Sequence, residues 1–379
     1  MDLTAFKAEL GSLLHDPSNV EFTEADIIRW INRAQKYTTM KTNCMQRIFT
    51  ASAVANQAEY TWPTEALKIL GVMFNWDNPL EPTSRPDLQY YDEDWMQAYA
   101  VTDPSHYYLV EKSRKVGVYP PPSSAADTTA IDDSDDITAD DTMIMVDSVS
   151  GFPSRGRIII GSEVIGYTNT VSITALSTTH RARATNVATI TTASAHGFAV
   201  GDNVKVSSMG DATYDGNTVV VSVPTTTTFT YSNAGADEGT TADTAGSITR
   251  TTFTGCTRGL EDTTAAVHAD NATVTLRDLI FWCVEKPDDL SAGTDEPWDG
   301  LDYLEPFHGV LIPYCLYMAK LKDGKPDEAR GFYNQWLVES EDMRRELNKL
   351  TPERVYQYVD QQPSEWPHGF GYRWPISTS

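Results

Sequence analysis

The feature that most constrains the fold is a strand pattern that breaks off at three consecutive prolines and resumes about 150 residues later. Residues 107–110 and 116–119 are β-prone runs separated by a polar turn, which predicts a hairpin. The prolines at 120–122 should end its second strand, because proline cannot donate to a strand ladder. The β-prone run that begins at Val274 is expected to pair with this hairpin. The chain between them is then an insertion at a hairpin tip, where exposed backbone tolerates added length.

The composition of the inserted chain differs from that of its flanks. Residues from about 125 to 275 are rich in Thr, Ser, Ala, Gly and Val, and alternate β-branched residues with turn signals such as HGFAVGD and YDGN. This pattern is typical of short-stranded sandwiches or barrels. The acidic stretch at 132–136 and the segment 234–246 are predicted to be flexible joints.

The flanks carry helix signals. Thr23 is expected to cap a long helix, with Asp26 three residues later. The predicted buried stripe of that helix is Ile27, Ile31, Ala34 and Thr38. Trp30 lies off this stripe and is expected either to pack in the core or to face a second helix or a neighbouring subunit.

The last third of the chain predicts a helical hairpin, with helices on either side of a turn at 323–326. Gly324 suits the position just after the first helix, and Pro326 suits the first turn of the second. Pro313 should kink the first helix unless the helix begins there.

Composition excludes several classes of function. The formal net charge is −24, which opposes electrostatic binding to a phosphate backbone, although a ring of such subunits could let DNA slide through. No apolar run reaches the roughly 18 residues of a membrane span, and the start lacks the order of a signal peptide, so we expect a cytosolic protein when made. The four scattered cysteines are expected to be buried free thiols rather than disulfides.

Candidate ligands and catalytic groups do not form known patterns. The aspartates at 132, 133, 135 and 136 could hold calcium, but they lack the glycine and glutamate of an EF-hand loop, which favours a solvated linker. His196 and His268 each lack a nearby second ligand, which favours turn or packing roles. The pair Asp92 and Asp94 is ordinary in an acidic chain. We assign no catalytic residue, no metal and no cofactor.

The C-terminal segment 363–379 is the most informative functional element of the sequence. Its large side chains would be costly to leave in water, and the segment is too rich in Pro, Gly and Ser for a helix. Either it folds back on its own helices, or it extends as an arm to a neighbouring subunit or partner. The candidate docking residues are Trp366, Phe370, Tyr372, Arg373 and Trp374.

With these elements in order, the flanks resemble the head-to-tail adaptor family of tailed bacteriophages, the head-completion proteins that dock beneath the portal. The segments that carry the resemblance are INRAQKYTT (31–39), QAEYTWPTEALKILGV (57–72), HYYLVEKSRKVGVYPPP (106–122) and residues 298–336. The insertion resembles two nested β-modules of phage structural and tail proteins, the outer one in residues 141–168 and 249–274 and the inner one in residues 186–235.

The resemblance implies an α+β multidomain fold, in which a small helical-bundle adaptor domain with short strands is interrupted by two nested all-β modules. The expected domains are the adaptor (1–125 plus 274–362), the first module (137–173 plus 249–273), the second module (180–240) and the arm (363–379).

The resemblance also implies a structural virion protein without catalysis, assembled in the host cytoplasm and placed at the head-tail junction. It would form a ring of twelve copies that joins the portal to the tail nozzle or tail-tube proteins and continues the channel for double-stranded DNA, without binding the DNA specifically. The inserted modules would face outward and hold tail fibres. The alternative is a tail or baseplate protein whose β-modules attach fibres or bind a host glycan.

Overall fold

The computed structural model describes residues 1–18, 20–95, 100–132 and 136–349. The chain divides into two compact units. The first contains Met1–Arg47, Pro63–Leu70 and the chain from Trp282 onward, and the second contains Ile48–Trp62 and Gly71–Phe281. The helices are α1 (Leu3–Leu13), α2 (Glu24–Thr42), α3 (Arg85–Tyr91), α4 (Leu311–Lys322) and α5 (Pro326–Lys349).

Strands outweigh helices in this fold, which corrects the expectation of a helical bundle that carries a few strands. Strands make up 37% of the chain and helices 27%. The cause is the Thr- and Val-rich middle of the chain, because β-branched side chains lose rotamer freedom in helices and pack well on a pleated sheet.

The strands of the described residues form four sheets. Those up to residue 145 are β1 (Gln46–Ala51), β2 (Glu59–Thr61), β3 (Ala66–Phe74), β4 (Asn78–Pro79), β5 (Glu81–Thr83), β6 (His106–Val110), β7 (Lys115–Tyr119), β8 (Thr128–Ala130) and β9 (Met143–Met145). Those after it are β10 (Gly156–Ile160), β11 (Glu163–Tyr167), β12 (Asn169–Ala184), β13 (Val187–Thr192), β14 (Asn203–Ser207), β15 (Gly216–Thr225), β16 (Thr228–Ser232), β17 (Glu238–Ala242), β18 (Ser247–Thr254), β19 (Thr257–Leu260), β20 (Thr273–Leu276) and β21 (Leu279–Glu285).

The predicted hairpin is present, but the prediction that the run from Val274 pairs with it is wrong. β6 and β7 pair antiparallel, and β7 ends at Tyr119, directly before the prolines. Their sheet has the order β2-β7-β6-β5. The run that begins at Val274 forms two strands in two other sheets, β20 in the order β19-β11-β10-β20-β8 and β21 in the order β1-β21-β3-β4. The two strands are separated by Arg277 and Asp278, whose polar side chains interrupt the apolar run.

The fourth sheet closes on itself. Its order is β17-β12-β13-β16-β15-β14-β18-β9, and β12 also pairs with β18. The 16-residue strand β12 pairs with β18 through its first half and with β13 through its second half, with a register irregularity around Ala175, which has φ +56°. Six strands thereby enclose a core that includes Ile190, Phe229 and Ile248. A closed sheet of this kind leaves no free edge among those six strands.

The helices of the first unit share one hydrophobic core, in which Phe6, Ile27, Ile31 and Trp298 are fully enclosed. Thr23 caps α2, since its side chain accepts a hydrogen bond from the amide of Asp26, and the predicted stripe of α2 is buried. Both expectations are confirmed.

Trp30 packs in this core against Phe22, so its core role is confirmed. Pro313 lies in the first turn of α4, where backbone amides have no hydrogen-bond acceptor within the helix, so its missing N–H costs nothing. Of the two expectations, the helix boundary near Pro313 is therefore the correct one. The predicted domain boundaries, including those of the nested modules, stay a prediction.

Candidate docking surface

One face of α2 presents large side chains that the core does not cover. Arg33, Tyr37 and Met40 follow one another at helical spacing, beside the buried stripe. Tyr37 is 41% exposed and Met40 is 49% exposed. The guanidinium carbon of Arg33 lies 5.4 Å from the centre of the Tyr37 ring, and Arg33 donates a 3.4 Å hydrogen bond to the Tyr37 hydroxyl. This bond helps to raise the pKa of Arg33, so the surface keeps a permanent positive charge beside an aromatic ring.

The Tyr37 ring continues into a series of aromatic contacts across α4 and α5. Its centre lies 5.8 Å from that of Tyr314. The Tyr314 ring contacts Trp336 at 5.2 Å and Tyr317 at 5.7 Å, and Tyr333 contacts Tyr317 at 5.1 Å and Trp336 at 5.5 Å. We call these five residues, Tyr37, Tyr314, Tyr317, Tyr333 and Trp336, the tyrosine ridge.

The tyrosine ridge has a buried base and an open crest. Tyr314 and Trp336 are each 4% exposed, whereas Tyr333 is 36% exposed. The Trp336 indole donates a 3.0 Å hydrogen bond to the Thr38 hydroxyl, which holds α5 against α2. Burial raises the pKa of Tyr314 to about 12, so its phenol is neutral and the base of the ridge is apolar.

The turn between α4 and α5 places the two halves of the ridge side by side. Gly324 has φ +71°, a conformation that glycine adopts without strain, and α5 begins at Pro326, as predicted. The two helices then run antiparallel. Tyr314 and Tyr317 on α4 and Tyr333 and Trp336 on α5 are three residues apart on their helices, so each pair shares one face.

The second unit contains a fully buried carboxylate. Glu163, at the start of β11, accepts hydrogen bonds from Arg258 at two nitrogens, each 2.8 Å away, and lies 2.7 Å from Nε2 of His268. The amides of Gly259 and Ala266 add bonds of 3.0 and 3.1 Å. Burial by itself would raise the pKa of Glu163, but these donors outweigh it and lower the pKa to about 2. Both carboxylate oxygens are satisfied, so the group serves to hold three chain segments together.

A second ionic cluster lies on the closed sheet. Arg181 pairs with both Glu238 and Asp243, and the Tyr214 hydroxyl donates to Glu238 at 2.8 Å. The guanidinium of Arg183 lies 4.0 Å from the centre of the Tyr214 ring. The acidic groups are thus engaged by local cations, which leaves this cluster as a brace for β17 against β12.

The predicted turn role is confirmed for His196, whereas His268 makes a polar contact that the sequence did not predict. His196 accepts a 2.9 Å hydrogen bond from the amide of Phe198 and stacks on its ring, which fixes the turn. His268 forms a 2.7 Å polar contact with the buried carboxylate of Glu163 through Nε2. The Glu163 contact is what sequence reasoning missed, because its partners lie about 100 positions away along the chain.

The aspartates behave as local acceptors. Asp132 receives two 2.7 Å hydrogen bonds from Lys205, and Asp92 accepts from Tyr119 and from the amide of Asp94. In the ranges that the structure describes, no group of histidine, cysteine and acidic residues is placed to hold a metal ion.

All four cysteines are free and buried, as expected. No helix in the described ranges is both long and apolar enough to cross a membrane. The predicted docking residues Trp366, Phe370, Tyr372, Arg373 and Trp374 lie outside the described residues, as do the aspartates at 133 and 135.

Comparison with known proteins bears on the first part of the chain. Residues 1–157 match the family model described as SU10 adaptor protein. No curated protein matches the chain. Among solved structures the chain is similar to one titled Phage phi92 endosialidase, at 20% identity and a TM-score of 0.20, covering 35% of this chain and only 20% of the length of that one. The family match over residues 1–157 supports a phage adaptor-type protein, and it suggests a component of the virion.

Proposed function

We propose that this protein is a structural virion component, a ring-forming adaptor that joins the portal to the tail and continues the DNA channel. The observation that carries the proposal is the family match over residues 1–157, which include α1 and α2. The open crest of the tyrosine ridge supports it, because Tyr37 on α2 offers exposed aromatic surface of the kind enriched at protein interfaces.

The charge of the chain fits a channel wall. At a net charge of −24 per copy, a ring of subunits repels a polyanion. Double-stranded DNA then passes through the ring during packaging and ejection and meets no specific binding site. This role requires no catalysis, and we propose none. Incubation with peptidoglycan tests that part, since specific cleavage would contradict it.

The proposed assembly is a ring of twelve copies at the head-tail junction, with the portal on one side and tail nozzle or tail-tube proteins on the other. The arm (363–379) is the proposed element that docks on the portal or on a neighbouring subunit, through Trp366, Phe370, Tyr372, Arg373 and Trp374. Aromatic and arginine side chains dominate the binding energy of many interfaces. We propose that the inserted β-rich residues 130–272 lie outward and hold tail fibres or neighbouring subunits.

The deciding experiment is electron microscopy of the protein mixed with its cognate portal. We expect a twelvefold ring beneath the portal, and we expect a chain without residues 363–379 to fold but fail to dock. A trimeric or sixfold assembly that ignores the portal would instead favour a tail or baseplate protein that attaches fibres or binds a host glycan. Removal of residues 130–272 then tests the insertion, since intact ring formation and fibre attachment would reduce it to decoration.

A further inference from the structure

The tyrosine ridge joins the core at its base, through Tyr314 and Trp336, and leaves the core at its crest. Its base is closed by the Trp336 to Thr38 hydrogen bond, yet the rings of Tyr37 and Tyr333 remain 41% and 36% exposed. Within the described residues, the hydroxyls of Tyr317 and Tyr333 have no hydrogen-bond partner. Aromatic side chains line the grooves that bind extended proline-rich segments, and tyrosine rings with available hydroxyls can pack on proline and bond its neighbouring carbonyls.

The chain itself contains a segment with the matching chemistry. After Lys349 the sequence continues to Ser379, and this stretch contains two Trp-Pro pairs, Trp366 with Pro367 and Trp374 with Pro375. A residue that precedes proline is held in an extended conformation, which lowers the entropy lost on binding.

Charge and reach agree with this pairing. Arg33 stands beside Tyr37 and makes no ion pair with any other described residue, while Glu365 directly precedes Trp366. Trp366 follows Lys349 by 17 positions, so an extended chain spans about 56 Å. Along α5, Trp336 lies only about 20 Å before Lys349. The spacer is therefore long enough to carry the two Trp-Pro pairs beyond the helices from which it starts.

We propose that the tyrosine ridge of one copy binds the C-terminal arm (363–379) of an adjacent copy, with the two Trp-Pro pairs on the tyrosine rings and Glu365 against Arg33. The inference rests on the proposed ring. Each copy then donates one arm and receives another. Such a head-to-tail contact, repeated around a closed ring, leaves no arm and no ridge unoccupied.

The first test uses a full-length arm variant, four further changes made in that variant, and one peptide. The arm variant carries Trp366→Ser and Trp374→Ser and keeps its ridge free, and the probe is a synthetic peptide of residues 363–379. We expect the peptide to bind the arm variant, and the added change Tyr333→Ala to weaken binding about ten-fold or more. Arg33→Glu should weaken it as well, whereas Tyr333→Phe, which keeps the ring and loses only the hydroxyl, should weaken it less than Tyr333→Ala. The control is Tyr90→Ala, which removes a tyrosine that is 84% exposed in the second unit.

Circular dichroism confirms that each variant is folded before binding is compared. Peptide binding that is equal with and without Tyr333→Ala, or no binding at all, would overturn the inference.

The second test distinguishes the adjacent copy from the same chain. The arm variant keeps the ridge, and a full-length Tyr333→Ala chain keeps the arm, so a mixture of the two should associate more strongly than either alone. A mixture that associates no better than its components would refute binding between copies. Ring formation on the portal despite both variants would remove this inference. It would leave the adaptor role standing, but without the arm as its docking element. Peptide binding at the ridge, together with no assembly of the protein on the portal, would support the contact between arm and ridge and contradict the adaptor proposal.

Discussion

Glu163 and Arg258 meet side by side in the interior, with Nε and Nη2 of the guanidinium each 2.8 Å from a different carboxylate oxygen. Both side chains are almost entirely removed from solvent, at 0% and 7% exposure. The two residues lie on β11 and β19, neighbouring strands of the same sheet, and the pair therefore contributes to their register.

Replacing the carboxylate leaves the buried guanidinium of Arg258 without a counter-charge. We expect Glu163→Gln to lower the free energy of unfolding by roughly 3–5 kcal/mol, because Arg258 remains buried and unpaired. Urea denaturation measures the change. The control is Glu24→Gln, which breaks the exposed pair with Lys7 and should cost less than about 1 kcal/mol. Equal effects of the two changes would contradict a buried structural role.

The low pKa of Glu163 predicts an acid limit to stability. The ordinary value of 4.5 falls to about 2 in the folded chain, so the unfolded state binds the proton first as the pH drops. The stabilisation is complete above about pH 4.5 and is lost as the pH falls toward 2. Denaturation curves at pH 5 and pH 3 should show a smaller loss in Glu163→Gln than in the wild type. The same loss in both would show that another group is responsible.

Asp278 predicts the opposite dependence of stability on pH, in a higher pH range. Burial raises its pKa to about 6, while its carboxylate accepts a 2.6 Å hydrogen bond from the amide of Ala53. Between about pH 4 and 6 the folded chain holds a proton that the unfolded chain has released, so stability falls as the pH rises. Asp278→Asn should remove this slope without changing side-chain size. Denaturation at pH 4.5 and 6.5 measures it, and an unchanged slope would refute the assignment.

The hydrogen bond from Trp336 to Thr38 predicts that removing the Thr38 hydroxyl lowers the stability of the fold. Thr38→Val keeps the volume but leaves the buried indole N–H unpaired, which should destabilise the chain by about 1–3 kcal/mol. Adding Trp336→Phe removes the donor, so the combined effect should be smaller than the sum of the two single changes. A strictly additive double-mutant cycle, measured by thermal or urea unfolding, would show that the bond contributes nothing.

Two glycines in the helical hairpin should respond in opposite directions to alanine. Gly324 has φ +71°, and Gly324→Ala should cost about 1–2 kcal/mol from backbone strain. Gly331 lies inside α5 with open space around it, so Gly331→Ala should stabilise the chain by about 0.5–1 kcal/mol. Thermal unfolding compares the two, and a stabilising Gly324→Ala would contradict the turn conformation.

Local rules were sufficient for the elements at which a few neighbouring residues decide the backbone. The cap at Thr23, the turn at Gly324, the start of α5 at Pro326 and the end of β7 before the prolines all follow the sequence. The same reasoning failed at Val274, because an apolar run does not reveal which sheet each half will join. It also overestimated the helical part, since it treated the β-branched middle as an addition to a helical bundle.

The sequence by itself determined the cap of α2 at Thr23, the turn at Gly324, the start of α5 at Pro326, and that the middle of the chain forms strands. These depend on backbone sterics and on side chains within a few positions. Only the tertiary structure decided which residues meet. Glu163 joins Arg258 and His268 across about 100 positions, and the tyrosine ridge joins α2 to helices almost 300 residues later. Such contacts are selected by which apolar faces can be buried together and which buried charges can be paired, and neither condition is visible in the local order of residues.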